Sequence, residues 1–377
     1  MVFFSILVFF FIFSVIILIH EWGHFASARR HGVHVEEFGL GVPPKAKTLW
    51  TDKKGCAFTL NWIPFGGFVR MEGEDAADEG IKKTKGSFAS KSILARMEII
   101  LAGVFMNFVL AIFLLTILFS VGTKPILLNK EAVLTHIEQG TIILDEGLPV
   151  LAVSEGGPAY ISGLQKGDVL LSINGQNITS SEEILALQSA NEIARYNVYR
   201  TNEDGMQQKI QFQVQANEEG KIKAAFSMLP SFKEVKDVQL PVHQAFVYSL
   251  KVSGEIAQAT VHAFKSLITR LVLHAEVPQG IAGPVGIASM THNIVEQGDI
   301  SGIFKFMALL SLSLAIMNVL PIPALDGGRF VFLIIEAIIR RPIKASWEAN
   351  INLASYALLL GLIALITWND IVRIFTS

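Results

Sequence analysis

His20, Glu21 and His24 are the residues of this chain best placed to do chemistry, and they form the pattern His-Glu-x-x-His. In a helix, side chains at i and i+4 share one face, so both imidazoles can reach one tetrahedral zinc ion. The glutamate between them can then activate a water held by that ion. The pattern is short, and a lone match also arises in ordinary helices without a metal. Its setting sharpens it. Residues 2–19 carry no charge, have only Ser5 and Ser14 as polar side chains, and run into His20 without a loop signal. A run of that length can cross a bilayer. It lacks the basic start and the small-residue cleavage site of a signal peptide, so an anchored span is expected. Ionisable groups at the end of an apolar span are costly there and point to function.

A zinc held by two histidines needs a third protein ligand. Cys56 is the only cysteine, which removes both a disulfide framework and a cysteine cluster. The best candidate is Asp326, in Asn318-Val319-Leu320-Pro321-Ile322-Pro323-Ala324-Leu325-Asp326-Gly327-Gly328. Pro321 and Pro323 break the helix before it, and Gly327-Gly328 free the backbone after it. Broken helices at membrane depth are tolerated where they line a cavity or are buried in protein. Alone, Asp326 reads more readily as the cap of a helix starting near Gly328. With His-Glu-x-x-His at the same end of another span, ligation becomes the better reading.

Elements must bring these segments together. The chain has 377 residues, 51% hydrophobic and 17% charged, against about 25% charged in soluble proteins. That composition points to membrane spans plus one polar module, and the net charge of −2 gives no hint of nucleic-acid binding. Spans are expected at about 2–19, 99–121, 302–320 and 353–368, with a short apolar helix at 330–339. Asn107, the one strongly polar residue of the second span, reads either as an interhelical hydrogen bond or as support for catalysis. Residues 241–273 show helical spacing of Phe246, Leu250, Ile256, Val261 and Leu267 among polar residues. This is an amphipathic helix lying on the membrane or on the core. The glycines and Pro284 of 280–286 end it.

Twelve Lys and Arg lie from Arg29 to Arg96, which places that loop on the cytoplasmic side. Four spans then put both termini outside, with the stretch 123–240, which has fifteen Asp and Glu against ten Lys and Arg. The organisation expected is 1–28, first span with the motif; 29–97, loop with a β element; 98–122, second span. An outer module follows at 123–240, an amphipathic segment and turn at 241–301, and the third span with Asp326 at 302–328. A cytoplasmic-side helix and linker at 329–350 and the last span at 351–377 complete it.

These motifs, in this order and spacing, resemble those of the site-2 protease family of intramembrane zinc metalloproteases, of the bacterial regulator-of-sigma-E type. The resemblance covers nearly the whole chain. It implies His20, His24 and Asp326 as ligands of Zn2+, Glu21 as catalytic base, and Asn318 as a polar group near the scissile carbonyl. It implies a multi-pass protein of the bacterial cytoplasmic (inner) membrane. The stretch from Ile63 to Met71 is similar to the family's re-entrant β element, where Gly66, Gly67, Phe68 and Val69 would bind substrate as an edge strand. A helical substrate hides its peptide bonds, and strand addition stabilises the extended form. Read from its residues alone, the stretch is as readily a surface hairpin turning at Gly66-Gly67. The segment from Gly283 to Ile287 resembles the family's turn ahead of the third span. Trp22 departs mildly from the family, standing where Phe is common.

In the outer module, residues 149–159 read as a strand ending in a turn. Val169, Leu171 and Ile173 alternate before Asn174-Gly175, a strand-and-turn signal. Residues 181–190 read as a helix with a serine cap and acids in its first turn. Residues 196–200 and 210–214 read as a hairpin around Asp204-Gly205. This resembles a PDZ domain of the bacterial protease type, at about 140–228, and the module has room for one. Such domains bind an extended peptide along a strand edge. A structural β module without a ligand, or a size filter for substrates, are the other readings.

The expectation is a polytopic α-helical membrane protein of four transmembrane helices, with a re-entrant β element and an inserted PDZ domain (α+β). It would cut peptide bonds in or near the transmembrane segment of single-span substrates already shortened outside, such as anti-sigma factors or remnant signal peptides. Its partners would be transmembrane proteins or peptides, the lipid bilayer and a peptide ligand of the PDZ domain, with no nucleic acid. Two other readings remain: a membrane-anchored zincin acting outside the bilayer, with Glu36 or Glu37 as third ligand, and a non-enzymatic scaffold that binds no metal. His31 and His34 read as solvated loop histidines.

Overall fold

The computed structural model describes residues 1–74, 84–128, 130–187, 192–202, 206–274, 277–278, 281–341 and 343–376. Lys82 and Lys83 of the basic loop, the Asp204-Gly205 turn and Gly280 lie outside them. The chain divides into two compact units, one made of Met1–Thr123 with Gln239–Ser377, the other of Lys124–Val238.

In the first unit, α1 (Val2–Arg30) carries the apolar run unbroken through both histidines. It is followed by an antiparallel pair, β1 (Val35–Thr51) and β2 (Ala57–Met71). The turn of this pair is at Asp52, whose Oδ1 accepts from Lys54 N at 2.9 Å and Cys56 N at 3.0 Å. Gly66-Gly67 lies within the span of β2, where the chain reverses direction: Ala57 to Leu60 run parallel to Glu37 to Leu40, and Gly67 to Met71 run antiparallel to the same segment. Gly66 has φ +77 and kinks the strand, and a Cβ on Gly67 would lie 3.0 Å from Leu18 of α1. β1 pairs twice: Val35 to Leu40 face Gly67 to Met71 on one side and Ala57 to Leu60 on the other, through Glu37 to Leu40. Phe25, Val35, Phe38 and Cys56 are buried where α1 meets this sheet.

The helix α2 (Ile93–Val121) starts six residues ahead of the apolar run expected at 99–121. Ser92 caps it, its Oγ accepting from Ala95 N at 3.3 Å, which lets residues 93–98, with Arg96 and Glu98, join the helix.

The second unit contains α3 (Lys130–Glu138), β3 (Ile142–Leu144), β4 (Leu148–Val153), α4 (Pro158–Ile161), β5 (Val169–Ile173) and β6 (Gln176–Asn177). After α5 (Ser181–Ala186) come β7 (Ile193–Thr201), β8 (Gln207–Gln215), β9 (Ala224–Phe226) and β10 (Phe232–Val235). One sheet has the order β8-β7-β5-β4-β9, with β6 paired to β5, and β10 pairs with β3. Leu148, Leu170, Ile173, Tyr196 and Val198 form its core. The alternation in β5 misplaces the buried face: Leu170 is fully buried and Leu171 only half-buried, because this central strand packs on both faces. Asn174 and Gly175 both take positive φ, as a tight hairpin turn requires. α5 stops at Ala186, and the hydrogen bond at its start comes from Glu183, whose carboxylate accepts from Thr179 N at 3.1 Å, rather than from a serine.

Back in the first unit, Leu240 N donates to Phe119 O at 2.8 Å, so the ends of the inserted module lie side by side. Then follow α6 (Val242–His274), α7 (Pro284–Glu296), α8 (Ile300–Val319), α9 (Asp326–Ile339) and α10 (Ala345–Thr376). α6 packs on α2 and α8 through Ala245, Ser249, Val252, Ser253 and Ile256. Of the apolar residues in the helical pattern, Ile256 and Leu267 are buried, and Phe246, Leu250 and Val261 are exposed. α7, which the sequence did not announce, opens at Pro284. Just before it, Gly283 N–H and, within it, Gly286 N–H donate to Asp370 Oδ2 of α10 at 2.9 and 2.8 Å. α1, α2, α8 and Ser346–Arg373 within α10 are long and apolar enough to cross a membrane.

Candidate metal centre

The i, i+4 spacing on α1 puts His20 and His24 on its buried face, and both are under a tenth exposed. Their Nε2 atoms are 3.1 Å apart. Asp326 Oδ2 lies 3.0 Å from His20 Nε2 and 3.4 Å from His24 Nε2. Donors about 2.0–2.2 Å from a tetrahedral zinc stand about 3.3 Å from one another, so this triangle has the dimensions of one zinc face. Asp326 Oδ2 is buried and makes no well-directed hydrogen bond. Three lone-pair donors converging on one point, one of them an orphaned carboxylate oxygen, fit a metal ion. Two imidazoles and a carboxylate with a fourth position open are a catalytic zinc donor set. Among the described residues, these three form the one group of metal-ligating side chains found.

Each ligand has local causes. Asp326 is the first residue of α9, and Leu325 rather than Asp326 is its cap, so the carboxylate is free to face α1. The loop before it is tight: a Cβ on Gly327 would lie 2.1 Å from Leu320 O, and one on Gly328 2.4 Å from Ile322 O. Ala324 holds φ +75, sparsely populated for a residue with a Cβ, and its N–H donates to Asn352 Oδ1 of α10 at 3.1 Å.

α2 lies against the histidine face. A Cβ on Gly23 would be 2.3 Å from Ala102 O, and one on Gly103 2.4 Å from His24 Nε2, so the helices cross where neither has a side chain. His24 Nδ1 sits 2.9 Å from Ile99 O, a carbonyl that fixes the proton on Nδ1 and leaves Nε2 for a metal. His20 Nδ1 faces the Asn107 carboxamide at 3.4 Å. Ile99, Gly103 and Asn107, four residues apart, form one stripe. Only Asn107 could be suspected from sequence, since a backbone carbonyl and a close approach leave little trace there.

Glu21 is partly buried between the two histidines in sequence, and no described residue hydrogen-bonds its carboxylate. Asn318 is in the last turn of α8, half-buried, with no hydrogen bond to the three-residue cluster. Gly66 and Gly67 pack beside Ile17 and Leu18, just before His20. Phe68 and Val69 pair with Gly39 and Phe38 of β1. Glu37 is committed elsewhere: it accepts from Thr59 Oγ1 at 2.7 Å and pairs with Arg70 at 3.2 Å. Glu36 is exposed, and His31 pairs with Glu98 at 2.7 Å.

Residues 8–362 match the family model described as peptidase family M50, a span holding all three converging side chains. The chain belongs to peptidase family M50. A protein of Clostridium perfringens, provisionally named a zinc metalloprotease, is 32% identical, covering 96% of each chain. The zinc metalloprotease RasP of Bacillus licheniformis is 28% identical, over 98% of this chain and 99% of its own. The regulator of sigma-W protease RasP of Bacillus subtilis is 27% identical over the same shares.

Proposed function

We propose that this M50 peptidase is a zinc endopeptidase that cuts its substrates within or near a transmembrane segment. The observation that carries this reading is the His20–His24–Asp326 triangle, built on helices apolar enough to cross a bilayer. Names of its relatives that specify a zinc metalloprotease agree with it. Zinc, when bound, acidifies a water and polarises the carbonyl it faces. Glu21, beside a ligand and with its carboxylate unclaimed, takes a proton from the attacking water and passes it to the departing amine. The Asn318 amide donates toward the carbonyl oxygen as negative charge gathers there.

The substrate must be extended to be cut. The stretch from Gly67 to Met71 of β2 has β1 on one side, and no strand pairs its other edge among the described residues. Gly66, Gly67, Phe68 and Val69 thus offer an edge beside α1 for an unwound segment, in a β element that re-enters the membrane. Positive charge between α1 and α2 sets this side as cytoplasmic, with the inserted module outside. That module is read as a PDZ domain. A groove of about 330 Å³ between α5 and β9, lined by Ser181, Ile184, Lys221, Lys223 and Phe226, supports peptide docking along the β9 edge. Single-span proteins already shortened outside, anti-sigma factors among them, are the substrate class; the B. subtilis relative's name points the same way.

The test compares wild type with Glu21→Gln on a model single-span substrate in vesicles, with zinc content measured in both. The expected result is equal zinc and no cleavage in the variant. Full activity in Glu21→Gln, or wild type that cleaves without binding zinc, sinks the reading.

A further inference from the structure

We infer that Asn107 of α2 is a positioning residue for the metal centre, accepting the Nδ1 proton of His20 so that Nε2 faces the metal. The inference rests on the zinc reading above. Asn107 is completely buried. Its carboxamide is 3.4 Å from His20 Nδ1, and no other hydrogen bond to that ring nitrogen is present among the described residues. A histidine that binds metal through Nε2 carries its proton on Nδ1 and needs an acceptor there. His24 has Ile99 O in that role, two turns before Asn107 on the same helix. The stripe that serves one histidine with a carbonyl thus reaches the other with a side-chain amide.

The amide can meet this need. With its nitrogen toward His20, Asn107 leaves Oδ1 buried and unpartnered. A half-turn about the terminal bond exchanges the two atoms at no steric cost. The oxygen then meets the Nδ1 proton, the one arrangement in which His20 and Asn107 are both compatible with a metal on Nε2. Burial of a carboxamide in an apolar helix is costly without a compensating partner, and His20 is the side chain it reaches. The backbone of Asn107 is fixed independently, since Ser311 Oγ of α8 donates to its carbonyl at 2.9 Å.

The test is zinc affinity of the full chain in detergent, stripped of metal and titrated against a chromophoric chelator. Asn107→Leu keeps the shape and removes the acceptor. It should weaken zinc by about 10- to 100-fold, the usual effect of losing a hydrogen-bond partner behind a ligand. Its metal-free form should unfold at or above the wild-type temperature. Asn107→Asp, which keeps an acceptor, should hold zinc within a few-fold of wild type. Should Asn107→Leu not fold, Asn107→Ala removes the acceptor without bulk and is read the same way. Wild-type affinity in the apolar variant, or equal losses in Asp and Leu variants, overturns the inference alone. Wild type that binds no zinc overturns it together with the reading beneath it.

Discussion

Asp326 and Gly103 both lie against His24 Nε2. Asp326 closes the triangle with the histidines, and a Cβ added to Gly103 of α2 would lie 2.4 Å from His24 Nε2. Asp326→Ala should bring zinc in the purified protein to background and end cleavage, with helix content unchanged. One zinc per chain retained would move the third ligand elsewhere. Gly103→Ala should push α2 off α1, costing about 1–3 kcal/mol by overpacking and weakening zinc. Gly254→Ala, whose added Cβ on α6 has nothing within 4 Å, should stay within about 1 kcal/mol of wild type. Thermal unfolding and metal titration check both. The three converging residues, His20, His24 and Asp326, were legible because their types are costly in apolar helices. Ile99 and Gly103 were not, since one acts through its backbone and the other through the side chain it lacks.

At the scale of elements, the Gly-Pro-Val-Gly turn gains a physical role. Two N–H groups at the start of α7 bind the Asp370 carboxylate, which is 4% exposed. A carboxylate there is favoured by the orphan donors and by the helix dipole. Asp370→Ala should leave those donors buried and unpaired, a loss of about 1–3 kcal/mol. Amide exchange should quicken in α7 and near Asp370 while β7 of the inserted module stays as it was. Uniform quickening, or none, would remove the clamp from the account. The long helices were legible from composition because apolar runs leave few alternatives. Strand detail was not: Asp52 turns the first hairpin by accepting from two backbone amides, and the second reversal, which ends at Gly66-Gly67, packs closely on α1. On α6 the helical pattern was legible, but not the small residues Ala245, Ser249 and Ser253 that join Val252 and Ile256 in burial, since small residues give no hydropathy signal.

For the whole molecule, the division into two units makes the module between Thr123 and Gln239 a candidate for removal. Replacing residues 124–238 with a short Gly-Ser linker should leave a first unit that folds and binds zinc as tightly as the full chain, measured by the same chelator titration. Loss of zinc on excision would show that the module supports the metal centre. The module was legible as one block from its charge. Its helix α3 was not, lying in a stretch whose apolar spacing is weak. The hydrogen bond from Leu240 N to Phe119 O closes the mouth of this insertion. In mechanical terms, the module hangs from a clasp instead of forming a link in the chain. Tension applied to it enters along α2 and α6 side by side. Of the two covalent routes inward, the one along α2 meets Asn107 and Gly103 first, and the loop that carries Asp326 lies far down the other.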